Sequence, residues 1–193
     1  LDFKSFTMKK YIALALACFS SHSFADSASI DLNDDALRLS YQHSLAKDYD
    51  VDLAWVHVKD VGNTVSAGFV LAQALNNDIT ASIGGKALFQ QHDKQPDGVA
   101  MAVGGSVRIT PAANKNFALT GSVFFAPNVL SFGDMDDYRE VEIRGEYKLS
   151  EQFIAYAGYR NNSADYNVNG VKIKKNKNVD LYDGMMFGGQ FKF

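Results

Sequence analysis

The chain has 193 residues, 22 of them acidic and 19 basic, for a formal charge of −3. That balance provides no basic surplus for a nucleic-acid partner. Three prolines, 15 glycines and 12% aromatics point to β structure with many tight turns.

The first 25 residues read as an export signal. Met8-Lys9-Lys10 is a positively charged start, residues 11–19 form a short apolar run, and Ser23-Phe24-Ala25 supplies a small-residue cleavage site. The run is far below the roughly 20 residues of a membrane-spanning helix. The expectation is a signal peptide over residues 1–25, with Leu1 to Thr7 upstream of a start at Met8, and one domain over 26–193. Cys18, the single cysteine, falls inside the signal. The mature chain therefore has no thiol for a disulfide, a metal site or a nucleophile. Ala15-Leu16-Ala17-Cys18 loosely resembles a lipobox but lacks Leu at the expected position, and the Ser-Phe-Ala site is better, so cleavage after Ala25 is preferred to lipidation at Cys18.

Beyond the signal the pattern has period two, with no useful run of helical period. Residues 36–44 and 50–59 read as strands with mixed faces. Val65, Ala67, Phe69 and Leu71 then oppose Thr64, Ser66 and Gly68. Ile79, Ala81, Ile83, Ala87 and Phe89 oppose Asp78, Thr80, Ser82 and Lys86. Val99, Met101, Val103, Val107 and Ile109 oppose Ala100, Ala102, Ser106, Arg108 and Thr110. Phe117, Leu119, Val123 and Phe125 face away from Ala118, Thr120 and Ser122. Val141, Ile143, Tyr147 and Leu149 oppose Glu140, Glu142, Arg144, Glu146 and Lys148. Residues 152–161 form a further strand. The chain closes on an alternating segment with Met185, Phe187, Phe191 and Phe193 on one face and Gln190 and Lys192 on the other.

Mature segments hold no apolar run of the roughly 18 residues a membrane helix needs. A spanning protein of this kind must be a closed antiparallel barrel, which alone satisfies every strand's backbone in lipid. Connections alternate between short (75–77, 111–115, 150–151) and long (90–97, 127–137, 162–180). Outer-membrane barrels show short periplasmic turns and long outer loops. Counting back from Phe193 at the periplasmic end puts these segments on those sides. The expected fold is all-β: an up-and-down transmembrane β-barrel of eight to ten strands. Ten is favoured, with 28–32 pairing 36–44 across Asn33-Asp34-Asp35; the alternative is eight strands with an N-terminal segment inside the barrel or across its mouth.

If the apolar face meets lipid, the opposite face lines the lumen. It carries Asp78, Glu140, Glu142 and Glu146 with Lys86, Arg108, Arg144, Lys148 and Lys192. Lys86, Arg108, Glu140, Glu142, Arg144, Glu146 and Lys148 are the expected charge cluster. Charges of both signs in a narrow barrel are tolerable when paired, so a salt-bridged plug is expected ahead of a small charged channel. Tyr41, Trp55, Phe89, Phe125, Tyr138, Tyr147, Tyr159 and Phe193 fall near strand ends and suit interfacial girdles. The glycine pairs at 84–85, 104–105 and 188–189 lie mid-strand, where glycine permits bending or close packing.

The order and spacing of several segments carry a family resemblance. They are Ile83-Gly84-Gly85-Lys86, Asp97-Gly98 with Ala102-Val103-Gly104-Gly105, Phe125-Ala126-Pro127, and Asp137-Tyr138 with Arg144-Gly145-Glu146-Tyr147. Tyr156-Ala157-Gly158-Tyr159-Arg160 and the terminal Gly188-Gly189-Gln190-Phe191-Lys192-Phe193 complete the set. With these the chain resembles the YfaZ family of small bacterial outer-membrane proteins. The resemblance implies a single-domain barrel in the outer membrane of a Gram-negative bacterium and no defined activity.

No catalytic signature or cofactor motif stands out. His57, near Asp60 and Ser66, permits an alternative reading as an outer-leaflet lipid-modifying hydrolase. A soluble periplasmic ligand-binding barrel is a further alternative, requiring apolar residues inside and charges outside. His43, His57 and His92 lack metal-ligand spacing, and Asp134, Asp136 and Asp137 do not match a calcium loop. Lys172, Lys174, Lys175 and Lys177 sit in an outer loop that would face lipopolysaccharide. Expected partners are outer-membrane lipid and lipopolysaccharide. During biogenesis, periplasmic chaperones and the barrel-assembly machinery would read Phe187, Phe191 and Phe193 as a C-terminal signal. A monomer is expected.

Overall fold

A computed structural model describes residues 26–93, 97–168, 171–172 and 179–193. The proposed signal at 1–25 lies outside the described residues, as do Lys174, Lys175 and Lys177 and the side chain of Lys172.

The strands are β1 (Ser27–Leu32), β2 (Ala36–Ala46), β3 (Tyr49–Val58), β4 (Gly62–Ala74), β5 (Ile79–His92), β6 (Gly98–Ile109) and β7 (Phe117–Ala126). They continue with β8 (Ser131–Gly133), β9 (Met135–Lys148), β10 (Phe153–Val168), β11 (Val171–Lys172) and β12 (Val179–Lys192). Each long strand pairs antiparallel with its sequence neighbours, and β12 pairs with β1 from Ser27↔Lys192 to Leu32↔Phe187. The result is a closed barrel of 10 strands, with β8 and β11 as short additions. The N-terminal segment is therefore part of the wall, not a plug.

Local chemistry explains the turns. Asn33 Oδ1 accepts the backbone N–H groups of Asp35 and Ala36, and Asn76 Oδ1 accepts those of Asp78 and Ile79. Such Asx turns give the backbone a ready-made reversal. Between β7 and β9 the chain makes a single 3-10 turn (Asn128–Leu130) and then β8, which continues the β6 ladder beyond the end of β7.

Alternation sets the two faces of the wall. Ile83, Phe187 and Met185 are 67%, 63% and 59% exposed, and Phe69, Val103, Val123, Ile143, Phe191 and Phe193 share this outer face. An exposed apolar belt on a closed sheet is what lipid requires. It is the inverse of a soluble barrel, whose apolar residues would point inward. Trp55 lies on the outer face, in register with Leu39 and Val65. Tyr138 does not: it is buried inside the barrel, because its strand phase matches Glu140 and Glu142 and not the rim.

Candidate functional site

The interior has two zones. At the end bearing the longer loops the buried side chains are mostly apolar, with Gln90 and Ser163 buried there too. Leu88, Ala100, Ala102, Ala126, Met135, Tyr138, Ala164, Tyr166 and Leu181 form one cluster, with Phe124 and Leu130 packed on it. Ala36, Tyr182 and Met186 form another with Val56 and Val58. Between them these groups draw on strands from around the barrel.

Toward the short-turn end the interior is polar. Asp31 accepts from Arg38 Nη1 at 3.1 Å and from Arg160 Nη1 at 3.0 Å. Arg160 also binds Glu142 through Nε at 2.8 Å and through Nη2. Arg144 reaches Glu142 at 3.3 Å and Glu146 at 3.0 Å. Glu146 accepts from Arg108 Nη2 at 2.8 Å and from Thr120 Oγ1 at 2.8 Å. Charges thus alternate without a break from Arg38 on β2 to Arg108 on β6. Lys86 and Glu140 form a separate pair that Tyr138 joins by donating to Glu140, and the Lys86 ammonium lies 4.5 Å from the Phe124 ring centre. In a low-dielectric interior such groups are tolerable because each charge has a partner and further hydrogen bonds.

A cavity of about 390 Å³ lies against this network. Its walls include Ser29, Ser40, Asp50, Asp52, Arg108 and Lys192, and Ser27, Thr80 and Lys192 place its mouth at the short-turn rim. Leu88, Met135, Tyr166 and Met186 of the apolar zone take no part in its lining.

Of the residues the sequence pointed to, Lys86, Arg108, Glu140, Glu142, Arg144 and Glu146 meet inside the barrel. Lys148 instead pairs with Glu151 of the adjoining turn at 2.7 Å, and Asp78 sits in a turn paired with Lys115. Both lie at strand ends, where the nearest counter-charge is in the turn. Asp31, Arg38, Asp52 and Arg160 were not anticipated. For Asp31 a signal was present, since Ser29 and Asp31 alternate with Ile30 and Leu32.

The geometry does not bring together the His57 and Ser66 pair on which the hydrolase alternative was drawn. His57 shares the outer face with Trp55 and bonds Asn63 at 3.1 Å, whereas Ser66 shares the inner face with Gly68. The wall separates them. Among the described residues no group of three His, Cys, Asp or Glu side chains is placed to hold a metal ion. Asp136 accepts from the Asn128 amide.

The family model described as "YfaZ precursor" matches residues 4–193. The chain belongs to the YfaZ family. A relative, outer membrane protein YfaZ of Escherichia coli (strain K12), is 29% identical over 106 residues, covering 55% of this chain and 57% of that one. Two solved structures of OmpT, an outer membrane protein of Vibrio cholerae, are also similar. One has a TM-score of 0.42 at 12% identity, covering 91% of this chain and 62% of that one; the other, a trimer form, has 0.40 at 14%, covering 91% and 63%. The matches span less than two thirds of these relatives' own lengths. Family membership and the lipid-adapted wall together make the protein an outer-membrane β-barrel.

Proposed function

We propose that the barrel is closed to through-flow and opens only toward the periplasm, a structural outer-membrane protein with a plugged, charge-lined vestibule. The observation that carries this reading is the apolar packing across the interior at the loop end, which the cavity does not penetrate. Short turns of outer-membrane barrels face the periplasm, so the cavity mouth faces that side. Barrels near this size have interiors that side chains can fill, and here the ion-pair network forms a second barrier behind the apolar one. The porin-like alternative needs a continuous path past both.

The outer-facing Phe187, Phe191 and Phe193 form a flat apolar stripe on the last strand, suited to recognition by periplasmic chaperones and the barrel-assembly machinery. Lipid covers the same stripe after insertion.

Conductance of the refolded protein in a planar lipid bilayer tests the main reading. Confirmed insertion without current steps is the expected result. Stable discrete steps would overturn it in favour of a narrow pore.

A further inference from the structure

The vestibule holds two charged groups that the network leaves unused. The Asp52 carboxylate on β3 lines the cavity and makes no hydrogen bond or ion pair with a described residue. The Lys192 ammonium on β12 likewise lines it with no hydrogen bond or ion pair to a described residue, Glu146 and Glu151 being the acids within electrostatic range. Asp50 stands beside Asp52 on the same wall, held by Gln42 at 2.8 Å and Ser44 at 2.6 Å, both neutral donors. Arg108 stands near Lys192, with Lys148 also close, and its side chain is 42% exposed despite its bond to Glu146. Arg38, Lys86 and Arg160 are the cations within electrostatic range of Asp52, and each is ion-paired with another acid.

Much of the uncharged lining is paired within itself. Ser29 and Ser40 hydrogen-bond each other at 2.5 Å, and Ser82 and Ser106 at 2.6 Å. A neutral polyol would compete with these pairs and would leave both charges unmet. A simple anion would answer Lys192 and leave Asp52 alone; a simple cation would do the reverse. A molecule with both charges answers both without changing the net charge of the cavity, and a volume of about 390 Å³ admits a small molecule.

We infer that the vestibule binds a small zwitterion of the amino-acid or short-peptide class, its ammonium at Asp52 and its carboxylate at Lys192 and Arg108. This deepens the closed-vestibule reading and rests on it, since the ligand enters from the periplasm and has no exit on the other side.

The test is a calorimetric titration of the refolded full-length barrel in detergent with glycine, glycylglycine and triglycine. N-acetylated and C-amidated forms, each lacking one charge, serve as controls. At least one zwitterion should bind. Each capped form should bind about tenfold more weakly or worse, the effect of one lost charge-assisted bond. Asp52→Asn should erase discrimination against the acetylated form, and Lys192→Gln discrimination against the amide. No binding of any zwitterion by folded wild-type barrel, or equal binding of capped and uncapped forms, would overturn the proposal. The capped ligands test it on wild-type protein even where a variant fails to refold. Bilayer conductance separates the two ideas: current steps sink the closed vestibule, while the titration alone judges the site.

Discussion

Arg160 on β10 and Asp31 on β1 are ion-paired at 3.0 Å across the strand that separates them. That strand, β12, presents only Gly188 in the row of Asp31 and Tyr156. A Cβ on Gly188 would lie 2.3 Å from the Tyr156 ring and 2.7 Å from the Asp31 carboxylate. Gly188→Ala should therefore overpack the network and cost about 1–3 kcal/mol. Urea unfolding in detergent, followed by the fluorescence of Trp55, reads the change; an unaltered midpoint would show that the ring moves aside freely.

Removing charges should rank by burial. The Arg160 side chain is 3% exposed and serves both Asp31 and Glu142. Arg160→Ala leaves buried carboxylates short of a partner and should cost about 3–5 kcal/mol. Arg108 is 42% exposed, and Glu146 keeps Arg144 when it is lost, so Arg108→Ala should cost only about 1 kcal/mol or less. Equal losses in the two variants would argue against a cooperative network.

On the closed-barrel proposal, opening the barrel requires the apolar layer to be breached. Met135→Ala combined with Tyr166→Ala hollows that layer and should raise current above that of the wild type in a planar bilayer. Lys86→Ala, which leaves the layer intact, should stay silent. Current from the lysine variant alone would place the barrier in the charged zone.

The lipid-facing assignment of β3 has its own optical test. Trp55 is the single tryptophan, and it points outward. Brominated lipid should quench its emission strongly in reconstituted vesicles, and an aqueous quencher should do so weakly. The opposite ranking would mean that β3 is turned over.

Acid should loosen the rim where β1 and β12 meet. Burial alone would raise the Asp26 carboxyl, but hydrogen bonds from Tyr41 at 2.8 Å and His43 at 2.6 Å outweigh it and hold it below its usual 3.8. A depressed folded value means stability that is present above the unfolded value and lost as pH falls through the folded one. Wild type should therefore lose stability below about pH 4 more steeply than Asp26→Asn. Parallel acid profiles would remove Asp26 from the account.

Most of the wall was legible in the chain because alternation is local. Val141, Ile143 and Tyr147 against Glu140, Glu142 and Glu146 predict both faces of β9 without any partner strand. The partners of those charges were not legible. Lys86 meets Glu140 with β6 and β7 between them, and Arg160 meets Asp31 past β12. Such meetings depend on stagger accumulated around the whole ring. Arg160 was also masked by its own strand, whose inner face places Ile154 and Tyr156 ahead of it and so shows no clear polarity. Tyr138 was read as a rim aromatic because position near a strand end does not reveal which way a ring points.

The seam between β1 and β12 has a consequence for how the molecule is born. Asp26 and Phe193 exchange backbone hydrogen bonds at 3.2 and 3.0 Å, and the amide of Gln190 reaches Ser27 across a separation of 163 residues. Contacts this remote in sequence bear the largest loop-closure cost and form slowly. Until they form, β1 and β12 are raw edges, each a template for foreign strands. The protein's most vulnerable moment is therefore its last, when a nearly finished cylinder still gapes along one line.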